Sequence, residues 1–543
     1  MVPAHADSEA PAGTTSPTSR SSAASTPTRE DLPAPTASNP EDQDDLDSLW
    51  ERLLDKLGII DLNDDSSDED DVENEDGSDE DEPVAADVAA LPAGTNHTTL
   101  TAEGFVDSVG VGIHVAYLDT SYGQVDTVAL LKDLGVKHVR DGLGSNDSVP
   151  IATMKEIGQA GIGINWVSQP EDSSFSIDKQ LQLIEEGDLN VESVEGANER
   201  DNHGDPSWAG KIREHQAELY EKVKASLGDD VAVVAPSLVH DGSREELGEV
   251  PSDVANAHPY TGGHMQTAEQ TEHQMQLTHK VTPSVDTTAP QQAEADERVT
   301  LKAAVEEGGA LYATELGFHT ATASTAGNGV QPHVSEDAQA TLQLQQLLEN
   351  YRNGVDRSYV YELLDEGEDD SEAEDHFGLV HSDGSPKPAF TALKNLLSVM
   401  KGSISTSSSA TTRSTSSSGA AGARALGVQV EGGGEATTSV VLPRADGSSV
   451  VALWEAEPVW DPDAARALDV PTREVTLRLD GTADAQVYVP RKSAKAGEAQ
   501  EGTDAVSVSS QADPTIIVLT PADGTPSTSG DADGADAEEP SAS

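Results

Sequence analysis

Two short stretches carry residues whose types and placing suit acid–base chemistry at a carbon–oxygen bond. The first spans 191–200, Val-Glu-Ser-Val-Glu-Gly-Ala-Asn-Glu-Arg, where an apolar/polar alternation runs into Gly196 and then sets Asn198 beside Glu199. A strand ends this way when its last residues are given over to a site. The second spans 312–317, Tyr-Ala-Thr-Glu-Leu-Gly, with Glu315 near the end of another β-type run. Cleaving a glycosidic bond takes two carboxyl groups, one protonated to serve the leaving oxygen and one ionised. Glu199 is the candidate acid and then base, and Glu315 the candidate nucleophile, while Asn198 would hold a sugar 2-hydroxyl. The plainer alternative is a surface strand end followed by a helix cap, since an Asn-Glu pair recurs by chance in a long chain.

Such residues need elements that bring them together. From about 102 to 401 the sequence alternates strand-like and helix-like runs. Strands are expected at 109–115, 137–140, 161–167, the run that ends at Glu199, 231–237, 254–259, 311–316 and 358–363. Helices are expected at 124–134, 151–160, 179–185, 208–226, 298–307, 336–353 and 388–400. Eight strands in β-α order imply parallel pairing through right-handed crossovers, and a closed (β/α)8 TIM barrel over 101–401 is the simplest architecture. An open doubly wound sheet is the alternative, but no Gly-x-Gly-x-x-Gly opens a helix here, which argues against a dinucleotide fold.

Barrel strands deliver their C-terminal residues to one rim. His114, Arg140 with Asp141, Trp166, Asn198 with Glu199, His258-Pro259-Tyr260, Glu315 and Tyr361-Glu362 all fall there. Arg140 and Tyr260 would keep Glu315 ionised by charge and hydrogen bonding, and the surroundings of the two glutamates must split their pKa values. Each has a plainer reading. Arg140 would simply pair with a barrel carboxylate, His114 would be a satisfied rim histidine, and Trp166 would be core or wall instead of a sugar platform. His258, His264 and His240 lack the fixed spacing of a metal site, so neither metal nor cofactor is expected. Glu362 and Asp365 are rivals for the carboxyl roles.

The flanks read differently. Residues 1–100 are acidic and Ser/Thr/Pro-rich, a composition read as disordered. Within them, Leu46, Leu49, Trp50, Leu53, Leu54 and Leu57 form one helical stripe over 44–60, which Gly58 can end. Asp61-x-Asn63-x-Asp65 starts like a calcium loop, but Ser66 and Val72 stand where its glycine and final carboxylate belong. Residues 402–420 read as a Ser/Thr-rich linker. Short β-type runs at 427–430, 438–442, 449–454, 474–479, 485–489, 505–509 and 515–519 imply an antiparallel β-sandwich over 421–522. Residues 523–543 read as a disordered acidic tail.

Charge narrows the partners. The 543 residues carry 99 acidic and 32 basic side chains, a net charge of −67 that repels nucleic acid and anionic membrane. The acid is spread along the whole chain and aromatics are only 3%, which reads as a halophilic surface whose self-repulsion salt screens. The absence of cysteine excludes disulfides and thiol chemistry. No run reaches the roughly 18 apolar residues of a membrane span. Ala4-His5-Ala6 has the form of a signal-peptide cleavage site without the apolar core before it. Secretion is therefore expected with the signal peptide not intact, and a cytoplasmic location stays open.

The ordered set resembles the retaining glycoside hydrolases of clan A, and among them a bacterial cellulase-like, family-39-like subgroup with a C-terminal β-domain. The likeness rests on Gly110-Val-Gly-Ile-His114, Val139-Arg-Asp141, Glu195-Gly-Ala-Asn-Glu199, His376-Phe-Gly-Leu379 and Pro386-Lys-Pro388, and covers about 104–400. It implies a polysaccharide- or oligosaccharide-cleaving enzyme working by double displacement, with Glu199 and Glu315 as its carboxyl pair. It further implies that Arg140, Asn198, His258, Tyr260, Tyr361, His114 and Trp166 surround the carbohydrate. Two departures stand out: Ala197 where proline is common in the subgroup, and Tyr361 where clan A has tryptophan. Two other readings stay open, a catalytically inactive carbohydrate-binding barrel and an acidic scaffold that docks partners through the 44–60 helix. Screening of the acidic surface predicts a melting temperature that rises between dilute buffer and molar NaCl. Thermal melts at the two salt levels check this, and an unchanged value counts against a halophilic surface.

Overall fold

The computed structural model describes residues 100–144, 147–170, 175–240, 242–264, 310–325, 331–402, 426–497 and 499–522. The expected helices at 44–60 and 298–307, the linker after Gly402 and the tail from 523 lie outside the described residues.

Eight parallel strands close into a barrel, each bonded to the next and the eighth to the first. They are β1 (Val109–Gly112), β2 (His138–Asp141), β3 (Gly163–Val167), β4 (Val191–Glu195), β5 (Ala232–Val234), β6 (Val254–Ala257), β7 (Ala310–Leu316) and β8 (Arg357–Val360). Helix α1 (Ala102–Ser108) precedes β1. Around the barrel follow α2 (Thr127–Leu134), α3 (Ser148–Gln159), α4 (Ile177–Gly187), α5 (Trp208–Ser226), α6 (Ser243–Leu247), α7 (Glu336–Arg352) and α8 (Pro388–Lys401). Apolar periodicity did not reveal the short helices α1 and α6. Local chemistry sets the helix ends. Asp126 accepts from the Ala129 N–H at 2.9 Å to cap α2, and Gly135 closes it at φ 84°, a conformation favoured by glycine. Pro388 opens α8, where its missing N–H costs nothing. Among the described residues no helix is long and apolar enough to cross a membrane.

Successive strand residues point to opposite faces, and the sequence uses the two faces differently. Val139, Ile164, Trp166, Val194, Ala255 and Ala313 join the apolar layer between strands and helices. Their neighbours Arg140, Asn165, Ser193, Glu195, Asn256 and Thr314 are equally buried but polar, and they bond to one another across the barrel interior.

The C-terminal domain is an antiparallel sheet of β9 (Val428–Gly432), β10 (Thr437–Pro443), β11 (Ser449–Glu455), β14 (Arg473–Tyr488), β15 (Ala499–Ser510) and β16 (Thr515–Pro521), with a small β12 (Trp460–Asp461) and β13 (Arg466–Ala467) ribbon. The runs expected separately at 474–479 and 485–489 are one long strand, β14. Its first half pairs with β9 and its second with β16, while β15 follows its other edge. The sheet therefore curls around one apolar cluster, to which Val451, Leu453, Val475, Leu477, Ile517 and Leu519 contribute. The alternate residues Val450, Ala452, Trp454, Ile516 and Val518 belong to the barrel's own core. This double-sided burial explains why all seven residues of β11 are buried.

Helix α7 lies in the joint, with every residue from Ala338 to Tyr351 buried. Its glutamines satisfy backbone groups there: Gln345 donates to the carbonyls of Ala512 at 2.8 Å and Glu455 at 3.3 Å. Gln346 donates to Pro259 O at 2.9 Å, next to Tyr260. With a shared core, barrel and sheet should unfold in one transition. Trp454→Ala is expected to lower the unfolding free energy of both together by about 3–5 kcal/mol. Denaturation followed by far-UV circular dichroism checks this, and two separate transitions would contradict the shared core.

Candidate active site

The polar barrel interior leads up to the rim through Arg140. This guanidinium donates from Nε to Glu195 Oε2 at 2.9 Å and from Nη2 to Glu195 Oε1 at 2.8 Å. It also donates from Nη1 to Glu315 Oε1 at 2.6 Å and from Nη2 to Asn198 Oδ1 at 2.6 Å. Glu195 was quoted in the sequence only as the first residue of a motif, with no role of its own. It is fully buried and accepts further bonds from Asn165 and Asn256, with Thr314 Oγ1 3.1 Å from its Oε1. Its signal was parity alone: two residues after Ser193 on a five-residue strand, it shares the inward face. Arg140 therefore pairs with a barrel carboxylate and also reaches the rim glutamate.

Glu315 owes its position to a break in the strand pattern. Ala313 and Leu316 both belong to the outer apolar layer, and the β7–β8 register shifts between them. The extra residue lets Thr314 and Glu315 both turn inward, as a bulge does beside many active sites. Glu315 also accepts from Tyr260 Oη at 2.8 Å. Burial alone would raise its pKa, but the positive charges of His258 and Arg140 and the bond from Tyr260 hold it well below the usual carboxylate range.

Glu199 stands just past β4 at φ 49°, in the left-handed region, where it opens a short turn over Arg200–His203. Ser237 Oγ accepts from its N–H at 3.1 Å, and Glu199 O accepts from Asn202 N at 3.1 Å. Its Oε1 lies 2.6 Å from His258 Nδ1, and Nδ1 is 3.6 Å from Glu315 Oε2. Carboxylate oxygens of Glu199 and Glu315 lie within 4.8 Å of one another, with His258 beside both. The Thr314 hydroxyl has one proton, which goes to Asn256 Oδ1 at 2.7 Å or Glu195 Oε1 at 3.1 Å. His258 Nε2, at 2.9 Å from Thr314 Oγ1, must then be the donor. A proton is left to be shared between His258 Nδ1 and Glu199 Oε1. Burial opposes a charged His258, yet the charges of Glu315 and Glu199 raise its pKa above the ordinary value.

These groups open onto a cavity of about 1170 Å³, also lined by His114, Asn198, Tyr260, Tyr361, Tyr117, Glu374 and Phe377. Tyr361 Oη donates to Glu374 Oε2 at 3.0 Å, and its ring meets Phe377 edge-on at 5.2 Å. His114 stacks on Tyr117 with ring centres 4.7 Å apart, and burial pushes its pKa down to about 4. Tyr117 and Glu374 went unnoticed in the sequence, and Phe377 was quoted only within the His376-Phe-Gly-Leu379 motif without a role, because short turns and loops carry no periodicity. Trp166 corrects an expectation: it is fully buried and does not line the cavity. Its neighbour Asn165 takes the inward face, so the indole turns outward and donates to Gln180 on α4 at 2.9 Å. Neither rival carboxyl lines the cavity. Glu362 is fully buried, and Asp365 accepts from the buried Lys387 Nζ at 2.7 Å. His240 is turned toward Asn202, not toward His258.

No protein-family model matches the sequence, and no curated protein matches it. Among solved structures the chain is similar to a family 39 glycoside hydrolase from Bacteroides cellulosilyticus WH2, with 14% identity, a TM-score of 0.44 and coverage of 78% of this chain and 82% of that one. It is also similar to a glucosidase from Croceicoccus marinus, with 14% identity, a TM-score of 0.43 and coverage of 73% and 92%. A third is a β-glucuronidase from Bifidobacterium dentium, with 16% identity, a TM-score of 0.38 and coverage of 53% and 46%. The chain spans about half the length of that β-glucuronidase.

A carboxyl held low in the folded state adds stability above its unfolded pKa of about 4.3 and loses it as pH falls toward the folded value. Glu315→Gln should therefore shrink the loss of unfolding free energy between about pH 5 and pH 3.5 by roughly 1 kcal/mol relative to wild type. Urea denaturation of both proteins at the two pH values checks the sign, and equal losses would mean that Glu315 is not held ionised.

Proposed function

We propose that the protein is a retaining O-glycoside hydrolase acting on an oligosaccharide or polysaccharide. The observation that carries this is the approach of the Glu199 and Glu315 carboxylate oxygens to within 4.8 Å at one cavity wall. Retaining enzymes hold their carboxyl pair about 5–5.5 Å apart, whereas inversion needs roughly 6.5–9.5 Å to admit a water. Glu315, kept ionised, attacks the anomeric carbon and forms a C–O bond as the glycosidic C–O bond breaks. Glu199 gives its proton to the leaving oxygen. In the second half Glu199 takes a proton from water, the water oxygen bonds to the anomeric carbon, and Glu315 leaves as carboxylate. His258 holds Glu199 at hydrogen-bond distance through both halves. Asn198, whose Oδ1 is engaged by Arg140 and Ser237, keeps its NH₂ to donate to the sugar 2-hydroxyl. His114 and Tyr361 border the sugar.

A panel of chromogenic glycosides, with product configuration followed by NMR, tests this; inverted product or no turnover on any would count against it. Glu315→Ala should abolish turnover. Glu199→Ala should slow it about 10²–10⁴-fold, the usual worth of a placed acid, and least on substrates with good leaving groups. Azide should rescue Glu199→Ala by attacking the glycosyl intermediate. Near-normal activity in Glu315→Ala would sink the assignment.

A further inference from the structure

A second cluster lies behind the cavity wall, where β1 meets the chain after β8. His114 Nε2 is 3.7 Å from Glu362 Oε2 and 4.0 Å from Glu366 Oε1. Both distances are too long for hydrogen bonds. Nε2 and Glu362 Oε1 are buried without any hydrogen-bond partner, and the Glu362 side chain is wholly inaccessible. Among the described residues, neither carboxylate forms an ion pair with a lysine or arginine. A buried polar atom left unpaired costs about 1–3 kcal/mol, more when it is charged, and native proteins commonly satisfy such groups with an ion or a water.

The spacing suits an ion. One ligand atom from each of the three residues falls within 4.8 Å of the others. Bonds of about 2.0–2.4 Å to a common ion place its ligand atoms about 3–4 Å apart. We propose that His114 Nε2 and the carboxylates of Glu362 and Glu366 together bind a divalent first-row ion, Mn²⁺ or Zn²⁺. The imidazole disfavours Mg²⁺ and Ca²⁺, which take oxygen ligands, and two carboxylates match the ion's charge. The ligands have their own supports. Tyr122 Oη donates to Glu362 Oε2 at 2.7 Å and fixes its orientation, the usual role of an outer partner at a metal site. Ser121 donates from Oγ to Asp365 O at 2.5 Å and from N to Glu366 O at 3.4 Å, which anchors the chain at Glu366. The ion would tie the end of β1 to the segment that carries Tyr361 and Glu374. Some 250 residues separate His114 from the glutamates, so no sequence motif announces the site.

The test uses the full chain, stripped with EDTA and kept in molar NaCl to screen diffuse binding by its acidic segments. It is titrated with MnCl₂ while the EPR signal of the free ion is read, and with ZnCl₂ by calorimetry. One tightly held ion per chain is expected. His114→Ala and Glu366→Gln should weaken it at least about 100-fold, and Tyr122→Phe, which keeps all three ligands, about 10–100-fold. Equal binding by wild type and the three variants, or no saturable binding of either ion by wild type, overturns the proposal.

Discussion

Arg140 is buried in the barrel with its guanidinium spread over Glu195, Glu315 and Asn198. Taking such charges out of water costs several kcal/mol per ion, and the cost is recovered only with good geometry and further hydrogen bonds. The barrel supplies both. Glu195 meets the guanidinium with both oxygens, and the Asn165 and Asn256 amides donate to it as well. Glu195 thus fixes the cation, and the cation fixes the two residues at the rim. Removing Glu195 would leave a buried arginine without its main partner, a change of the kind that costs about 3–5 kcal/mol. Polar residues in a barrel interior, where Val, Ile and Leu are usual, are in this sense the foundation of the site.

The outer layers serve the same end. Curling of β14 lets one sheet enclose its own core with one face and close over the barrel's helices with the other. Helix α7 is clamped between them, and Gln346 on it holds the carbonyl next to Tyr260. Tyr260 in turn donates to Glu315. A path of direct contacts therefore runs from the C-terminal sheet to a rim carboxylate. Groups held this way need little reorganisation when charge develops on a substrate, and such preorganisation is the main source of electrostatic stabilisation in enzymes.

Much of this was legible from residues. The eight strands followed from alternating runs, and α5 was placed at its observed bounds, Trp208–Ser226. Arg140, Asn198, Glu199, His258, Tyr260, Glu315, Tyr361 and His114 do line one cavity. That follows because strand ends share a rim, a rule needing only approximate boundaries. Trp166 failed for a finer reason. Its distance along β3 was right but its parity was wrong, and a one-residue change of parity turns a side chain from one face to the other. Glu195 was given no role because a buried carboxylate in a strand looks like any polar alternation until its partners are known. The 474–489 strand was split at Asp480-Gly481, a turn signal that the curl of the sheet absorbs instead. Tyr117 lies on a loop, and Glu374 and Phe377 lie at the two ends of a single 3-10 turn, whose course no periodicity encodes.

The two glutamates reach the cavity by different backbone devices, and the difference matches their proposed roles. Glu315 sits inside a seven-residue strand bonded on both sides, re-aimed by the bulge and gripped by Arg140 and Tyr260. Glu199 lies beyond its strand, in a left-handed conformation that costs an L-residue roughly 1–2 kcal/mol. That cost is offset by Ser237 and Asn202, which bond its two peptide groups. A nucleophile must be rigid and ionised, because its charge has to meet one carbon at bonding distance. An acid that later becomes a base must exchange a proton with a leaving group, then with water, and needs a nearby group to accept either state. His258, with its Nε2–H committed to Thr314 and its Nδ1 turned to Glu199, is such a group. The same imidazole also faces Glu315, so the charge of one carboxylate is felt by the group that serves the other.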